Sequence, residues 1–114
     1  AKALARFAAD MHNKKILHKD FTPGNVLWKQ DEEGFHFIIV DINRMKFGEI
    51  SVKEGLYNLR KFWGPKEFIR ILVSEYAKVR DYHVDEAVDY VMKERAKIWT
   101  RYGKKHPIKF KLEL

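Results

Sequence analysis

His18-Lys19-Asp20-Phe21-Thr22-Pro23-Gly24-Asn25 is the stretch on which the reading of this 114-residue chain turns. Asp20 and Asn25 stand five positions apart with Pro-Gly just before the asparagine, and Asp41 closes the next apolar run. A loop of that length lets one carboxylate face an acceptor hydroxyl while a neutral amide oxygen, pointing the other way, helps hold Mg²⁺ on nucleotide phosphates. Asp41 then supplies a second, anionic ligand to the metal. Taken one at a time these residues have plainer uses, since Asp and Asn commonly cap or turn a chain. The joint spacing, with a hairpin of suitable length leading to Asp41, favours the chemical reading.

Working outward, Ala1 to Met11 has the apolar spacing of a helix, with Leu4, Phe7, Ala8 and Met11 on one face and an end near Asn13. Ile16-Leu17 then forms a short extended entry into the loop at His18. Val26-Leu27-Trp28 and Phe35 to Val40 are β-prone runs separated by the polar turn Lys29-Gln30-Asp31-Glu32-Glu33-Gly34, so they predict a hairpin. A hairpin returns the chain, which brings Asn25 and Asp41 to the same end. Ser51 with Glu54 makes a capping box for a helix carrying Val52, Leu56, Leu59 and Trp63. Gly64-Pro65 opens another helix, with a buried stripe at Phe68, Ile71, Leu72, Tyr76 and Val79. Val88, Val91, Met92, Ile98 and Trp99 mark a third, ending near Gly103. The tail Ile108 to Leu112 alternates with period two, as an edge strand or an extended arm does.

Composition narrows the setting. A length of 114 residues suits one domain at most, and neither an internal repeat nor a linker divides it. Cysteine is absent, which excludes a disulfide framework and a thiolate zinc site and agrees with a reducing cytoplasm. No apolar run approaches membrane-spanning length. The formal charge of +7 predicts attraction to anions such as nucleotide phosphates, anionic glycolipid or a phospholipid surface. Much of the excess falls late, at Lys93, Arg95, Lys97, Arg101, Lys104, Lys105, Lys109 and Lys111, where the plain reading is a solvated helix face. With no recognisable nucleic-acid module beside the charge, nucleic acid is not expected as a partner.

The order helix, catalytic loop, hairpin, acidic metal ligand, helices resembles the C-terminal lobe of protein-kinase-like folds, an α+β and mostly helical class. The His18 to Asn25 motif, then Val40-Asp41-Ile42-Asn43-Arg44, then the Leu56-Tyr57-Asn58-Leu59-Arg60 helix, is similar to the bacterial lipopolysaccharide kinases that phosphorylate Kdo or heptose of the inner core. The Pro-Gly-Asn ending also resembles aminoglycoside and choline phosphotransferases. The resemblance implies Asp20 as catalytic base or hydroxyl-orienting carboxylate, Asn25 and Asp41 as Mg²⁺ ligands, and Leu27 and Val40 in the floor of the adenine pocket. It makes His18 a structural residue whose imidazole ties the loop together, and Lys19 a loop or substrate-side cation. Trp63, Trp99 and Tyr102 are expected in the core.

Two departures shape the expectation. Asp41-Ile42-Asn43 lacks the Phe and Gly of the D-F-G motif, and only ten positions separate Asp41 from Ser51. No Ala-Pro-Glu occurs, so a small-molecule or glycolipid acceptor is better supported than a protein one. Neither a glycine-rich loop nor its partner lysine and glutamate can be assigned, so residues 1–114 are expected to be one lobe of a longer ATP- and Mg²⁺-dependent enzyme, inactive alone and prone to self-association. The parent is expected in the cytoplasm, with peripheral contact to the inner face of the cytoplasmic membrane. The competing expectation is a non-catalytic, pseudokinase-like binding module.

Overall fold

Alanine favours helix more than any other residue, and the first helix, α1 (Lys2–Asn13), turns Ala5, Ala8 and Ala9 inward beside Leu4, Met11 and His12. These small side chains let a later helix, α3 (Lys66–Val79), lie directly against α1. Lys15 ends the turn after α1 in the left-handed region, at φ 66°, and donates its N–H to the His12 carbonyl at 3.0 Å. The chain is then aimed into β1 (Ile16–His18). The computed structural model describes residues 1–41 and 44–105. The expected tail strand at Ile108 to Leu112, and Ile42-Asn43 of the metal-ligand segment, lie outside the described residues.

After β1 and the loop, a 3-10 turn at Pro23–Asn25 feeds β2 (Val26–Asp31), which pairs antiparallel with β3 (Gly34–Ile39). The expected six-residue polar turn is shorter in fact: Lys29, Gln30 and Asp31 continue the strand, and only Glu32-Glu33 turn. On a surface hairpin the backbone ladder does not require apolar side chains. The turn itself is set by Asp31, whose Oδ1 accepts the Glu33 N–H at 2.8 Å, and by Gly34 at φ 116°. A second two-stranded sheet pairs β1 with β4 (Met45–Phe47), in the register Ile16↔Phe47, Leu17↔Lys46, His18↔Met45. Three residues are too few to show an alternation, so β4 left no pattern in the sequence.

Helix α2 (Val52–Asn58) starts where Ser51 Oγ accepts the Glu54 N–H at 3.0 Å. Only that half of the capping box closes, because the Glu54 carboxylate pairs with Lys46 on β4 instead. The helix stops short of Trp63, giving way to a 3-10 turn at Leu59–Lys61. Helix α3 buries Ile69, Leu72, Val73, Tyr76 and Ala77; Phe68 and Ile71 are half-buried and Val79 is exposed, so the stripe is rotated from the expected one. Helix α4 (Val84–Lys105) runs through Gly103 and buries Ala87, Val91, Arg95 and Trp99, one residue per turn. Arg95 is therefore no part of a solvated face. It is fully buried, its Nε donates to the Phe62 carbonyl at 3.0 Å, and burial draws its pKa below the ordinary guanidinium value. One core, built from α1 to α4 with Phe21, Val26 and Phe62, supports the loop from beneath.

Candidate active site

The loop is held from within by His18, whose ring is fully buried. Its Nδ1 accepts the Asp20 backbone N–H at 3.0 Å, so the proton resides on Nε2, which donates to the Val40 carbonyl at 2.9 Å. One imidazole thus ties the start of the loop to the residue before Asp41, the structural role expected of it. Phe21 anchors the middle of the loop, fully buried and edge-on to Phe62 at 4.9 Å between ring centroids.

Asn25 closes the loop onto its own beginning. Its Nδ2 donates to the Asp20 carbonyl at 2.8 Å and to Asp20 Oδ2 at 3.2 Å. With the amide nitrogen so used, the amide oxygen is the group Asn25 can offer a cation. Across the base of the hairpin the Asn25 carbonyl accepts the Val40 N–H at 2.9 Å, so Asn25 and Asp41 stand at the same end of β2 and β3. Asp41 is exposed and sits at φ 64°, a left-handed conformation that Asp adopts more readily than most residues. Backbone of this kind collects at functional sites.

Sequence reasoning missed Lys61. From the 3-10 turn after α2 its Nζ reaches Asp20 Oδ1 at 3.1 Å, so the carboxylate is held on both oxygens, by an amide and by an ammonium. Burial raises the Asp20 pKa, but the hydrogen bond and charge of Lys61, with Asn25 and His18, outweigh it and keep the carboxyl below the ordinary aspartate range. Lys61 lies 41 positions from Asp20, and no local signal marks such a pair.

A second missed feature is the polar chain under the loop. Asn58 Nδ2 donates to the His18 carbonyl at 2.7 Å, and Asn58 Oδ1 faces His12 Nε2 at 3.0 Å. His12 Nδ1 meets the Tyr76 hydroxyl at 2.6 Å, and Arg80 donates to that hydroxyl at 3.1 Å. The carbonyl at one end only accepts and the guanidinium at the other only donates, so every proton between them is assigned: Tyr76 donates to His12, and His12 donates to Asn58. Burial pulls the His12 pKa down to about 4, against the Asn58 hydrogen bond and with help from Arg80. Burial pushes Tyr76 up to about 12.

The hairpin carries two apolar faces. Val26, Trp28, Phe37 and Ile39 share the face toward the helices, where Phe37 meets Phe7 at 5.3 Å. Leu27 and Ile38, a cross-strand pair, share the other, and Val40, one residue past β3, continues the period-two row of Ile38. That face is open: Leu27 is 56% and Ile38 65% exposed. The period-two spacing of Ile38 and Val40 was the available signal for Ile38. Among the described residues no group of three or more His, Cys, Asp or Glu side chains forms a metal cage, and no helix is long and apolar enough to cross a membrane.

The family model described as lipopolysaccharide kinase (Kdo/WaaP) matches residues 1–63, more than half of the chain, from α1 through the loop, the hairpin and Lys61. The chain belongs to the lipopolysaccharide kinase (Kdo/WaaP) family. Membership makes a phosphotransferase the class of activity, and the loop, hairpin and Lys61 contact all fall inside the matched segment. Comparison with curated proteins gives no match. Helices α3 and α4 lie beyond the segment that this kinase family model matches.

Proposed function

We propose that this chain forms the C-terminal lobe of a kinase that transfers the γ-phosphoryl group of ATP to a sugar hydroxyl of the lipopolysaccharide inner core, Kdo or heptose. The observation that carries the reading is the double hold on Asp20, by Asn25 and Lys61, at the end of the hairpin where Asp41 also stands. Asp20 is the group that meets the acceptor hydroxyl. Kept ionised through the neutral range, its carboxylate accepts the hydroxyl hydrogen and fixes the direction of the oxygen lone pair. The acceptor oxygen then forms a bond to the γ-phosphorus as the bond from that phosphorus to the bridging oxygen of ADP breaks. The bonding pair leaves with ADP, and the hydroxyl proton passes to Asp20 and on to solvent.

Asn25 Oδ1 and the Asp41 carboxylate fit Mg²⁺, which commonly takes one or two protein oxygens and fills its octahedron with phosphate oxygens and water. When bound, the ion supplies charge neutralisation on the phosphates. Leu27, Ile38 and Val40 offer the adenine an apolar floor. An acceptor made at the cytoplasmic membrane places the enzyme in the cytoplasm, in peripheral contact with that membrane, where the basic surface favours anionic lipid.

Phosphate transfer by the full-length protein, with Kdo, heptose, lipid-linked core and an aminoglycoside as acceptors, tests this. Asp20→Asn is expected to lower kcat by two orders of magnitude or more with nucleotide affinity retained, and Asp41→Ala to weaken Mg²⁺-dependent nucleotide binding as well. Equal loss of nucleotide affinity in both variants contradicts the assignment of Asp20.

A further inference from the structure

Asp20 faces two spaces. One is the end of the hairpin, and the other is a cleft of about 520 Å³ to which the hairpin contributes nothing. Its sides come from three separate pieces of chain: Thr22 from the loop, Lys61 and Trp63 from the segment after α2, and Trp99 with Tyr102 from α4. The volume falls inside the range of about 300–1,000 Å³ typical of small-molecule sites. We propose that this cleft is the acceptor subsite, and that it takes a pyranose sugar whose ring lies against Trp63 and Tyr102 with one hydroxyl delivered to the Asp20–Lys61 pair. The inference rests on the phosphotransferase reading above and adds where the acceptor sits and what recognises it.

The chemistry of the walls carries the assignment. A pyranose presents hydroxyls around its edge and C–H groups on its faces, so it is matched by aromatic surface beside a few convergent polar groups. The cleft brings both kinds together: Trp63, Trp99 and Tyr102 line it along with Asp20, Lys61 and Thr22. Its aromatic wall is ordered by packing, because Trp99 is buried and meets Tyr102 edge-on at 5.3 Å between centroids. Lys61 holds Asp20 through one N–H at 3.1 Å, so its positive charge lies beside the carboxylate that the acceptor hydroxyl has to reach. The nucleotide has its own apolar floor on the open face of the hairpin, so both substrates approach Asp20 without competing for one surface. Trp99 and Tyr102 also lie outside the family-matched residues 1–63, which puts acceptor choice on a helix separate from the phosphoryl-transfer loop.

The test separates acceptor binding from turnover in the full-length protein. Trp63→Ala and Tyr102→Ala are expected to raise KM for the sugar at least tenfold, leaving KM for ATP within error, and Trp63→Phe is expected to retain most of the affinity. Lys61→Met is expected to lower kcat far more than it changes KM for ATP, with partial recovery in Lys61→Arg. Unchanged sugar KM in both aromatic variants, with transfer intact, overturns the cleft and leaves the kinase reading standing. The second arm needs no chemistry. With the tryptophans outside this chain also replaced by Phe, Trp28→Phe leaves Trp63 and Trp99 as the reporters, and titration with Kdo, with heptose and with glucose as a control is expected to give a saturable fluorescence change for an inner-core sugar that Tyr102→Ala weakens. If no sugar is phosphorylated by the wild-type protein, the proposed function fails and this arm alone decides the cleft: saturation supports sugar binding there, and a flat titration overturns it.

Discussion

Gly55 is the position at which ordinary helix reasoning gives the wrong sign. It lies buried in α2, where replacing Gly by Ala in a helix interior normally gains roughly 1 kcal/mol. Here a Cβ would stand 1.7 Å from the Tyr76 hydroxyl oxygen, 2.8 Å from His12 Nδ1 and 2.9 Å from Tyr76 Cζ. Tyr76 is fully buried and cannot swing into solvent. Overpacking of this kind costs about 1–3 kcal/mol, and pushing the hydroxyl away from His12 strands a buried donor and acceptor for about 1–3 kcal/mol more. Against the gain in propensity, Gly55→Ala is expected to destabilise by about 3 kcal/mol, or about 10 °C in the melting temperature. Urea and thermal denaturation of Gly55→Ala, Tyr76→Phe and the double variant provide the assay. Removing the hydroxyl relieves the 1.7 Å contact but leaves the ring carbon at 2.9 Å, so the double variant should recover part of the loss and fall short of additivity by 1 kcal/mol or more. A Gly55→Ala protein as stable as the parent, or strict additivity of the pair, refutes the reasoning.

Acid should weaken the fold through His12: its folded pKa of about 4 lies below the unfolded value of 6.5, so stability is full above pH 6.5 and is lost as pH falls from 6.5 to 4, by up to about 3 kcal/mol. Urea titrations at stepped pH check this, and His12→Gln should flatten that slope. Asp81, at φ 55° after α3, occupies a position that suits glycine, so Asp81→Gly should stabilise by about 0.5 kcal/mol, read from the urea midpoint. The open hairpin face should make the isolated chain associate at high concentration. Leu27→Glu with Ile38→Lys should shift it toward monomer in sedimentation, and a parent that is already monomeric throughout removes the expectation.

What the sequence made legible was local. The loop spacing, the hairpin, the Ser51 cap and the four helices depend on residues within a turn or two of each other, and the structure has each of these elements, though α2 ends at Asn58 instead of reaching Trp63 and the hairpin turn is two residues instead of six. The misses arose from distance or brevity. Lys61 on Asp20, Asn58 on the His18 carbonyl and His12 on Tyr76 join residues 40 or more positions apart, and each looked unremarkable beside its neighbours. Arg95 misled for a different reason. Set among exposed lysines it read as surface charge, whereas its place one turn from Val91 and one turn from Trp99 puts it on the buried row of α4. Trp63 and Tyr102 were expected in the core, Trp63 also because it continues the spacing of Val52, Leu56 and Leu59, and the structure places both on the cleft beside Asp20.

The polar chain beneath the loop has a handedness of charge as well as a sequence of contacts. Each O–H and N–H from Arg80 through Tyr76, His12 and Asn58 points toward the loop, so their dipoles add rather than cancel. The positive ends all lead to the His18 carbonyl, two residues before Asp20. A guanidinium thus stands at the far end of a line of neutral groups whose donors all lead to the loop backbone. The helical floor not only supports the loop; it holds a polarised line of donors against the backbone that leads into Asp20.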